Sequence, residues 1–225
     1  MRSRHGIFKK GERHLSLKGF FPLSIPILPK GLFSCYTVSM QNDFNFCPNC
    51  GSKHIQNVNM RKWLCADCGF DLYNNVATAV GLIICDSEGR VLFERRGKEP
   101  RKGFLAFPGG FVDPNETAEE AAFRECKEEI GAEIYSVHYL CSFPNTYEYK
   151  NIVYKTCDLF FEANLLADAK LTAQEGEVTA FEWRHVRNDQ ELAELPLAFE
   201  SARKTLAFWL KDKMNRKKFE SETEF

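Results

Sequence analysis

Three glutamates, Glu125, Glu128 and Glu129, stand close together near the middle of this chain of 225 residues. On an α-helix their side chains would fall within roughly a third of the circumference. Like charges at such short spacing raise one another's pKa values unless a cation lies between them. Carboxylate oxygens are ligands for Mg²⁺ or Mn²⁺. The spacing therefore favours a divalent-metal site, although a solvated acidic helix face would show the same pattern.

A helix from about Thr117 to Ile130 is predicted to carry these glutamates. Its start matches a capping box, Thr117-Ala-Glu-Glu120, and Gly131 stands where a helix C-terminus favours glycine. Small or apolar residues recur every four positions, at Ala118, Ala122, Cys126 and Ile130. This stripe predicts that one side of the helix packs on a sheet, with the carboxylates on the other side.

Two cysteine pairs, Cys47-Pro-Asn-Cys50 and Cys65-Ala-Asp-Cys68, are each followed by glycine. Four thiolates close a tetrahedral structural zinc site, so residues 44–75 are predicted to form a small zinc ribbon. A redox dithiol would need one pair and would leave the other unexplained. The five scattered cysteines are interpreted as small core residues and the compartment as reducing; they are Cys35, Cys85, Cys126, Cys141 and Cys157.

The context of the glutamates is more specific than their spacing alone. Glu116 follows Gly110 after five residues, and seven further residues separate it from the run Arg124-Glu-Cys-Lys-Glu-Glu-Ile-Gly131. This arrangement resembles the Nudix box, and all seven of its defining glycine, glutamate and arginine positions match. Only the two bulky aliphatic positions depart, being Cys126 and Ala132.

The resemblance implies an α/β fold, the Nudix α/β/α sandwich around a mixed sheet, over residues 76–212. It assigns Mg²⁺ or Mn²⁺ to Glu125, Glu128 and Glu129. Gly109-Gly110 becomes the tight turn before the helix. Arg124 is a candidate catalytic residue, and it would pair with Glu116 and so stabilise that loop.

The activity implied by the resemblance is metal-dependent hydrolysis of a phosphoanhydride bond in a nucleoside diphosphate linked to another moiety, which releases a mononucleotide. A carboxylate would take the proton of the attacking water. Glu128 is the first candidate for this base. Glu177 is the second, because Glu177–Trp183 resembles a late segment of NADH pyrophosphatases; an ordinary loop acid is the alternative.

A zinc ribbon before a Nudix domain resembles the NADH pyrophosphatase branch, yet the substrate motif differs. Those enzymes carry Ser-Gln-Pro-Trp-Pro-Phe-Pro, whereas this chain reads Ser142-Phe-Pro-Asn-Thr-Tyr147. NADH or NAD⁺, ADP-ribose, nucleotide sugars and NAD-capped RNA all stay open as substrates. Tyr147 could stack on a base or pack in the core, and Arg95 could hold phosphate, as could its basic neighbours Arg96, Arg101 and Lys102.

The competing interpretation is a nucleotide-sensing, Nudix-like regulatory protein without turnover. The undamaged box weighs against it, as do the 93 residues after Ala132, which the sandwich needs. A second copy of the chain is an expected partner, because homodimers are frequent in the family. Beyond residue 39 the chain holds 23 Lys and Arg against 30 Asp and Glu. This acidic balance argues against general nucleic-acid binding.

Residues 1–39 are interpreted as an extension outside the fold, with seven Lys and Arg against the single acid Glu12. Pro22 and Pro26 interrupt its apolar stretch, which disfavours a signal peptide or membrane span. Translation from Met40 and an organelle-targeting leader are both open, and a cytoplasmic location is predicted.

The other elements follow from periodicity and turn residues. We expect a hairpin of Val76–Cys85 with Arg90–Arg95. Phe104–Phe111 is predicted as a strand that ends in the turn at Pro108-Gly109-Gly110, Glu200–Lys211 as a closing helix, and residues 213–225 as a frayed polar tail. Three further strands are expected: Ile134–Ser142, Tyr154–Asn164 and Val178–Trp183.

Overall fold

The computed structural model describes residues 44–150 and 152–223, with side chains described as far as Arg216. Residues 1–39, the predicted extension, lie outside the described residues. The cysteine-rich segment forms a three-stranded antiparallel sheet of β1 (Ile55–Val58), β2 (Lys62–Cys65) and β3 (Asp71–Tyr73). Strands β1 and β2 connect the two cysteine pairs, and β3 follows the second pair.

Six strands and three helices make up the rest of the described chain. The helices are α1 (Ala118–Ile130), α2 (Asp189–Glu194) and α3 (Glu200–Thr223). The strands are β4 (Ala77–Ile84), β5 (Val91–Arg96), β6 (Leu105–Ala106), β7 (Ile134–Tyr149), β8 (Ile152–Leu165) and β9 (Val178–Arg184).

These strands form two sheets. In one, β8 lies between β4, to which it is parallel, and β7, to which it is antiparallel, so the sheet is mixed. In the other, β5 lies between β6 and β9, both antiparallel to it. The predicted hairpin of β4 with β5 is wrong, because the two strands belong to different sheets and their backbones pair only at the bridge between Cys85 and Val91. Both strands are buried on both faces, so their partners are set by distant segments and not by the turn that joins them.

Helices cover both faces of this β structure. Alternate residues of β4 and β5 contribute to two apolar clusters, because side chains along a strand point to opposite sides. One cluster joins Leu82 and Leu92 to the α1 stripe of Ala122, Cys126 and Ile130. The other joins Ile83 and Phe93 to Leu206 and Trp209 of α3. This arrangement confirms the α/β/α sandwich and the predicted packing of α1.

The ends of α1 are as predicted. The Thr117 hydroxyl accepts a hydrogen bond from the Glu120 N–H, and the Glu120 carboxylate accepts one from the Thr117 N–H. Gly131 ends the helix in the left-handed conformation with φ of 64°. Sequence reasoning missed α2, although Asn188 caps it by accepting a hydrogen bond from the Glu191 N–H.

The prediction of a frayed tail after the closing helix is wrong, because α3 continues to Thr223. Its polar residues are good helix formers, and the ion pair between Asp212 and Arg216 links successive turns, with 2.5 Å between Nε and Oδ2. Among the described residues, no helix combines the length and hydropathy that a membrane span requires.

Replacing Phe93 by alanine should destabilise the fold strongly. Its side chain is fully buried and stacks on Phe107 with 5.4 Å between ring centroids. Truncation would leave a cavity, with an expected loss of about 3–5 kcal/mol in the free energy of unfolding. Urea denaturation measures this loss. Phe123→Ala, at a 41% exposed position on α1, is the matched control and should cost less than about 1 kcal/mol. Equal losses in both variants would contradict this account of the core.

Candidate active site

The four predicted zinc ligands converge. The Sγ atoms of Cys47, Cys50, Cys65 and Cys68 all lie within 4.8 Å of one another. The Sγ distances are 3.7 Å from Cys47 to Cys68 and 3.7 Å from Cys50 to Cys65. A hydrogen bond from the Asn49 side-chain amide lowers the pKa of Cys68 to about 6, which favours the thiolate. Four thiols in a closed group are the donor set of a structural zinc site.

The three glutamates of α1 face one cavity of about 330 Å³ in the α/β part of the chain. Glu125, Glu128 and Glu129 all line it, which confirms that they share a helix face. Glu129 is buried, whereas the Glu128 side chain is 48% exposed. The cavity is therefore carboxylate-rich on the side of α1, with one carboxylate that water reaches easily.

The predicted turn lies against these glutamates. The Gly109 N–H donates a hydrogen bond of 2.6 Å to Glu129 Oε2. With φ of 142°, Gly109 adopts a conformation that other residues rarely take, and a Cβ there would overlap the carbonyl of Val80. A Cβ at Gly110 would overlap the Glu125 carboxylate. Glycine at both positions lets the backbone approach the helix closely.

Arg124 organises the loop and the carboxylates through hydrogen bonds. Its Nε and Nη2 each donate to one oxygen of Glu116, both at 2.8 Å. Its Nη1 donates to Glu125 at 2.7 Å and to Glu128 at 3.2 Å, and Nη2 also donates to the Phe111 carbonyl at 3.0 Å. These bonds use all five N–H groups of the guanidinium. The predicted pairing of Arg124 with Glu116 is confirmed, and its geometry suits positioning of carboxylates more than contact with a substrate.

The Glu116 partner is held ionised by this arrangement. The hydrogen bonds from Arg124, together with one from the Asp113 backbone N–H, lower the pKa of Glu116 to about 2. A bidentate guanidinium–carboxylate pair fixes both position and orientation. The pair therefore fixes the loop between Phe111 and α1.

A further carboxylate, Glu94, was missed by the sequence analysis. It is only 2% exposed on β5 and lies close enough to Glu129 for the two carboxyls to affect each other's pKa, while its Oε2 has no partner. Burial, together with the neighbouring Glu129, raises the pKa of Glu94. Burial and the charge of Glu125 raise the pKa of Glu129 to about 7. A charged residue within a strand that is otherwise apolar was the available signal, since such residues are seldom buried without a partner.

The donor set fits a hard cation. Glu94, Glu125 and Glu129 crowd together in a buried site, and they can ionise together only where positive charge compensates them. Their oxygens are nevertheless more widely spread than the thiols. Among the described residues, the four cysteines are the only metal-ligating group whose donor atoms all lie within 4.8 Å. The bonds to Gly109 and Arg124 hold the carboxylates apart.

The contact predicted between Arg95 and phosphate stays a prediction. Arg95 donates a hydrogen bond to the Gly103 carbonyl and forms an ion pair with Glu182, and it does not line the cavity. Its neighbour Arg96 does line the cavity and lies over the Phe199 ring, with 5.1 Å from Cζ to the centroid. Side chains alternate along β5, so only one of two adjacent arginines can face the site.

Glu177 and Tyr147 both line the cavity. Glu177 is paired with Lys98, with 2.5 Å from Oε1 to Nζ. Tyr147 forms an aromatic wall with Phe111 and Phe199, whose ring centroids lie 5.3 and 5.7 Å from its own. The segment Ser142–Tyr147 belongs to β7, which is longer than predicted.

Comparison with known proteins identifies the family of this chain. The family model described as the NUDIX domain matches residues 76–207. The chain belongs to the Nudix family. The fold agrees, since a crystal structure of a Nudix hydrolase from Nitrosomonas europaea is similar with a TM-score of 0.53, at 24% identity, over 76% of this chain and 92% of that one.

Two curated relatives extend the comparison within the Nudix family. The chain is 30% identical to the NAD-capped RNA hydrolase NudC of Deinococcus radiodurans, over 80% of this chain and 63% of that protein. It is 47% identical to the ADP-ribose pyrophosphatase of Methanocaldococcus jannaschii over a shorter stretch, 28% of this chain and 36% of that protein. The chain thus spans less than two thirds of the length of these relatives.

Replacing Cys65 by serine should release zinc from the ribbon. Three thiolates and a hydroxyl bind the ion more weakly than four thiolates. We expect about one zinc per chain by elemental analysis in the parent protein and much less in Cys65→Ser after dialysis against a mild chelator. Cys157→Ser, at a cysteine outside the group, should retain the parent content. Equal zinc contents in the two variants would remove Cys65 from the ligand set.

Proposed function

We propose that this protein hydrolyses a phosphoanhydride bond in a nucleoside diphosphate linked to another moiety, using Mg²⁺ or Mn²⁺, and releases a mononucleotide. The observation that carries the proposal is the gathering of three Nudix-box glutamates at one cavity, beside the buried Glu94. The similarity to two relatives, a hydrolase of NAD-capped RNA and a pyrophosphatase of ADP-ribose, supports this substrate class.

Glu125, Glu128 and Glu129 would bind the cation, and the buried Glu94 would lie next to Glu129. When bound, the cation neutralises diphosphate oxygens and makes the attacking water more acidic. The positive charge of the cation would favour the ionised forms of the neighbouring Glu94 and Glu129 carboxyls. Arg124 keeps Glu125 and Glu128 oriented towards the cavity through its hydrogen bonds.

Glu128 is the first candidate for the base that takes the proton of the attacking water. Its carboxylate lines the cavity and is the most exposed of the three on α1, where water reaches it. Glu177 is the second candidate, and its ion pair with Lys98 places a lysine at the same cavity. Lys98 and Arg96 would attract the phosphate groups of a substrate.

The ribbon is proposed to be structural, because four thiolate ligands leave no open position for catalysis.

The chain is further proposed to be a cytoplasmic homodimer, with the ribbon over residues 44–75 and the catalytic domain over residues 76–212. Light scattering measures the mass in solution, and a monomer mass would reject the dimer.

A panel of substrates tests the reaction class. We expect mononucleotide release from at least one of NADH, NAD⁺, ADP-ribose, a nucleotide sugar or NAD-capped RNA in Mg²⁺ or Mn²⁺, and none in excess chelator. Chromatography of the products measures this release. Binding of ADP-ribose without release from any substrate would instead support a nucleotide-sensing protein.

Exchanging the site glutamates for glutamine should remove turnover and leave the fold intact. Glu128→Gln is expected to lower kcat by about 100-fold or more, the magnitude associated with loss of a general base. Glu129→Gln should lose turnover because a cation ligand becomes neutral. Glu119→Gln, an exposed position on the same helix, is the matched control and should keep parent activity. Steady-state assays with thermal melts compare the variants, and full activity in Glu128→Gln and Glu129→Gln would reject the assignment.

A further inference from the structure

A second group of polar residues, separate from the α1 glutamates, faces the same cavity. It consists of Thr156 and Asp158 on β8 and Ser201 in the first turn of α3. All three residues are buried, with exposures of 3%, 8% and 1%. The Thr156 hydroxyl donates to Asp158 Oδ1 and the Ser201 hydroxyl donates to Oδ2, both at 2.6 Å. The two hydroxyls thus hold the carboxylate from both sides.

The sheet register brings this group beside the aromatic wall. Asp158 pairs with Ala79 of β4, and Thr156 pairs with Asn145 of β7. Every second residue faces the same side of a sheet, so Asn145 and Tyr147 line the cavity together with Thr156 and Asp158. A flat ring stacked on the aromatic wall would therefore have its edge near these polar atoms.

The hydrogen bonds within the group decide which ligand atoms it can bind. An ionised carboxylate only accepts hydrogen bonds, and a hydroxyl has one hydrogen to donate. Both hydroxyl hydrogens are already committed to Asp158. The unused lone pairs of all three residues are therefore acceptors, and the group can satisfy an N–H donor but not a carbonyl oxygen.

The charge of Asp158 has little compensation from the protein. No lysine, arginine or histidine that the structure describes forms an ion pair with it, and the groups that donate hydrogen bonds to its two oxygens are neutral hydroxyls. The N-terminal end of α3 supplies a partial positive charge. A buried carboxylate with so few partners gains from a further donor. The same bonds also tie α3 to β8, so the test must separate recognition from structural support.

We propose that Asp158, positioned by Thr156 and Ser201, accepts a hydrogen bond from an amino or carboxamide N–H on a ring of the bound nucleotide, and so selects substrates that carry this donor. The inference rests on the proposed function in that the ligand is a nucleotide in this cavity. The shared chemistry is a ring-edge N–H donor, which an adenine amine or a nicotinamide carboxamide would supply.

Three ligands separate the two sources. NAD⁺ carries both donors, nicotinamide purine dinucleotide has hydrogen in place of the adenine amine, and 3-acetylpyridine adenine dinucleotide lacks the carboxamide nitrogen. Dissociation constants are measured by calorimetry in chelator, where turnover does not interfere, and kcat/KM is measured in Mg²⁺. The parent protein should bind NAD⁺ about tenfold more tightly than one of the two analogues, and that analogue identifies the donor.

Asp158→Asn should abolish this preference by weakening NAD⁺ binding to the level of the disfavoured analogue, whose own binding stays within about twofold. The matched control is Asp189→Asn at an exposed position on α2, which should keep the preference. Equal binding of all three ligands by the parent protein would overturn the proposal. Equal losses for all three in Asp158→Asn would assign the group a purely structural role and overturn it as well.

Thr156→Val provides a second variant of similar shape that keeps the carboxylate and removes one of its anchors. Thr156→Val should reduce the preference for NAD⁺ several-fold. If Asp158→Asn does not fold, Thr156→Val is the deciding variant, and an unchanged preference in it overturns the proposal. Selective binding without any turnover would reject the proposed hydrolysis and support this inference. Turnover without selectivity would do the reverse, and failure of all three ligands to bind would reject the inference.

Discussion

The cost of placing several carboxylates in one partly buried site is the constraint on which the rest of this structure depends. Glu94, Glu125 and Glu129 would repel one another and lose hydration there, and either effect alone would favour their protonated forms. Nearby hydrogen-bond donors compensate part of this cost. The Gly109 backbone N–H donates to Glu129, and the Arg124 guanidinium donates all its N–H groups to the loop and to neighbouring carboxylates. The glycine turn and the arginine are thus consequences of the charge on α1.

The two metal-binding chemistries of the chain differ in how much they need from the fold. The four thiols lie within two short knuckles of a small sheet and converge through local turns. The carboxylates come from α1 and β5, so they meet only when both sheets and the helix layers are assembled. This difference matches their roles, because a closed thiolate site stabilises a small unit whereas an oxygen site must stay open to a ligand.

Features set by neighbours along the chain were predictable, and features set by distant pairing were not. The cap at Thr117, the end at Gly131 and the shared face of the α1 glutamates follow from helix geometry, which fixes them within a few residues. The cysteine pairs follow in the same way. The family resemblance added the Glu116–Arg124 pair and the sandwich. The placement of β4 beside β8, and of Glu94 against Glu129, depends on segments far apart in sequence. An alternation of apolar residues predicts a strand but does not identify the strand that pairs with it.

The alternation along β5 also limits how the length of this chain can vary. Glu94 and Arg96 lie two positions apart and serve the site from one side of the strand, while Phe93 belongs to the core. Adding or deleting one residue within β5 would exchange the two sides, burying Arg95 beside Glu129 and turning an aromatic ring away from its core. The loop between Arg96 and Phe104 carries no such parity, and within it only Lys98 lines the cavity.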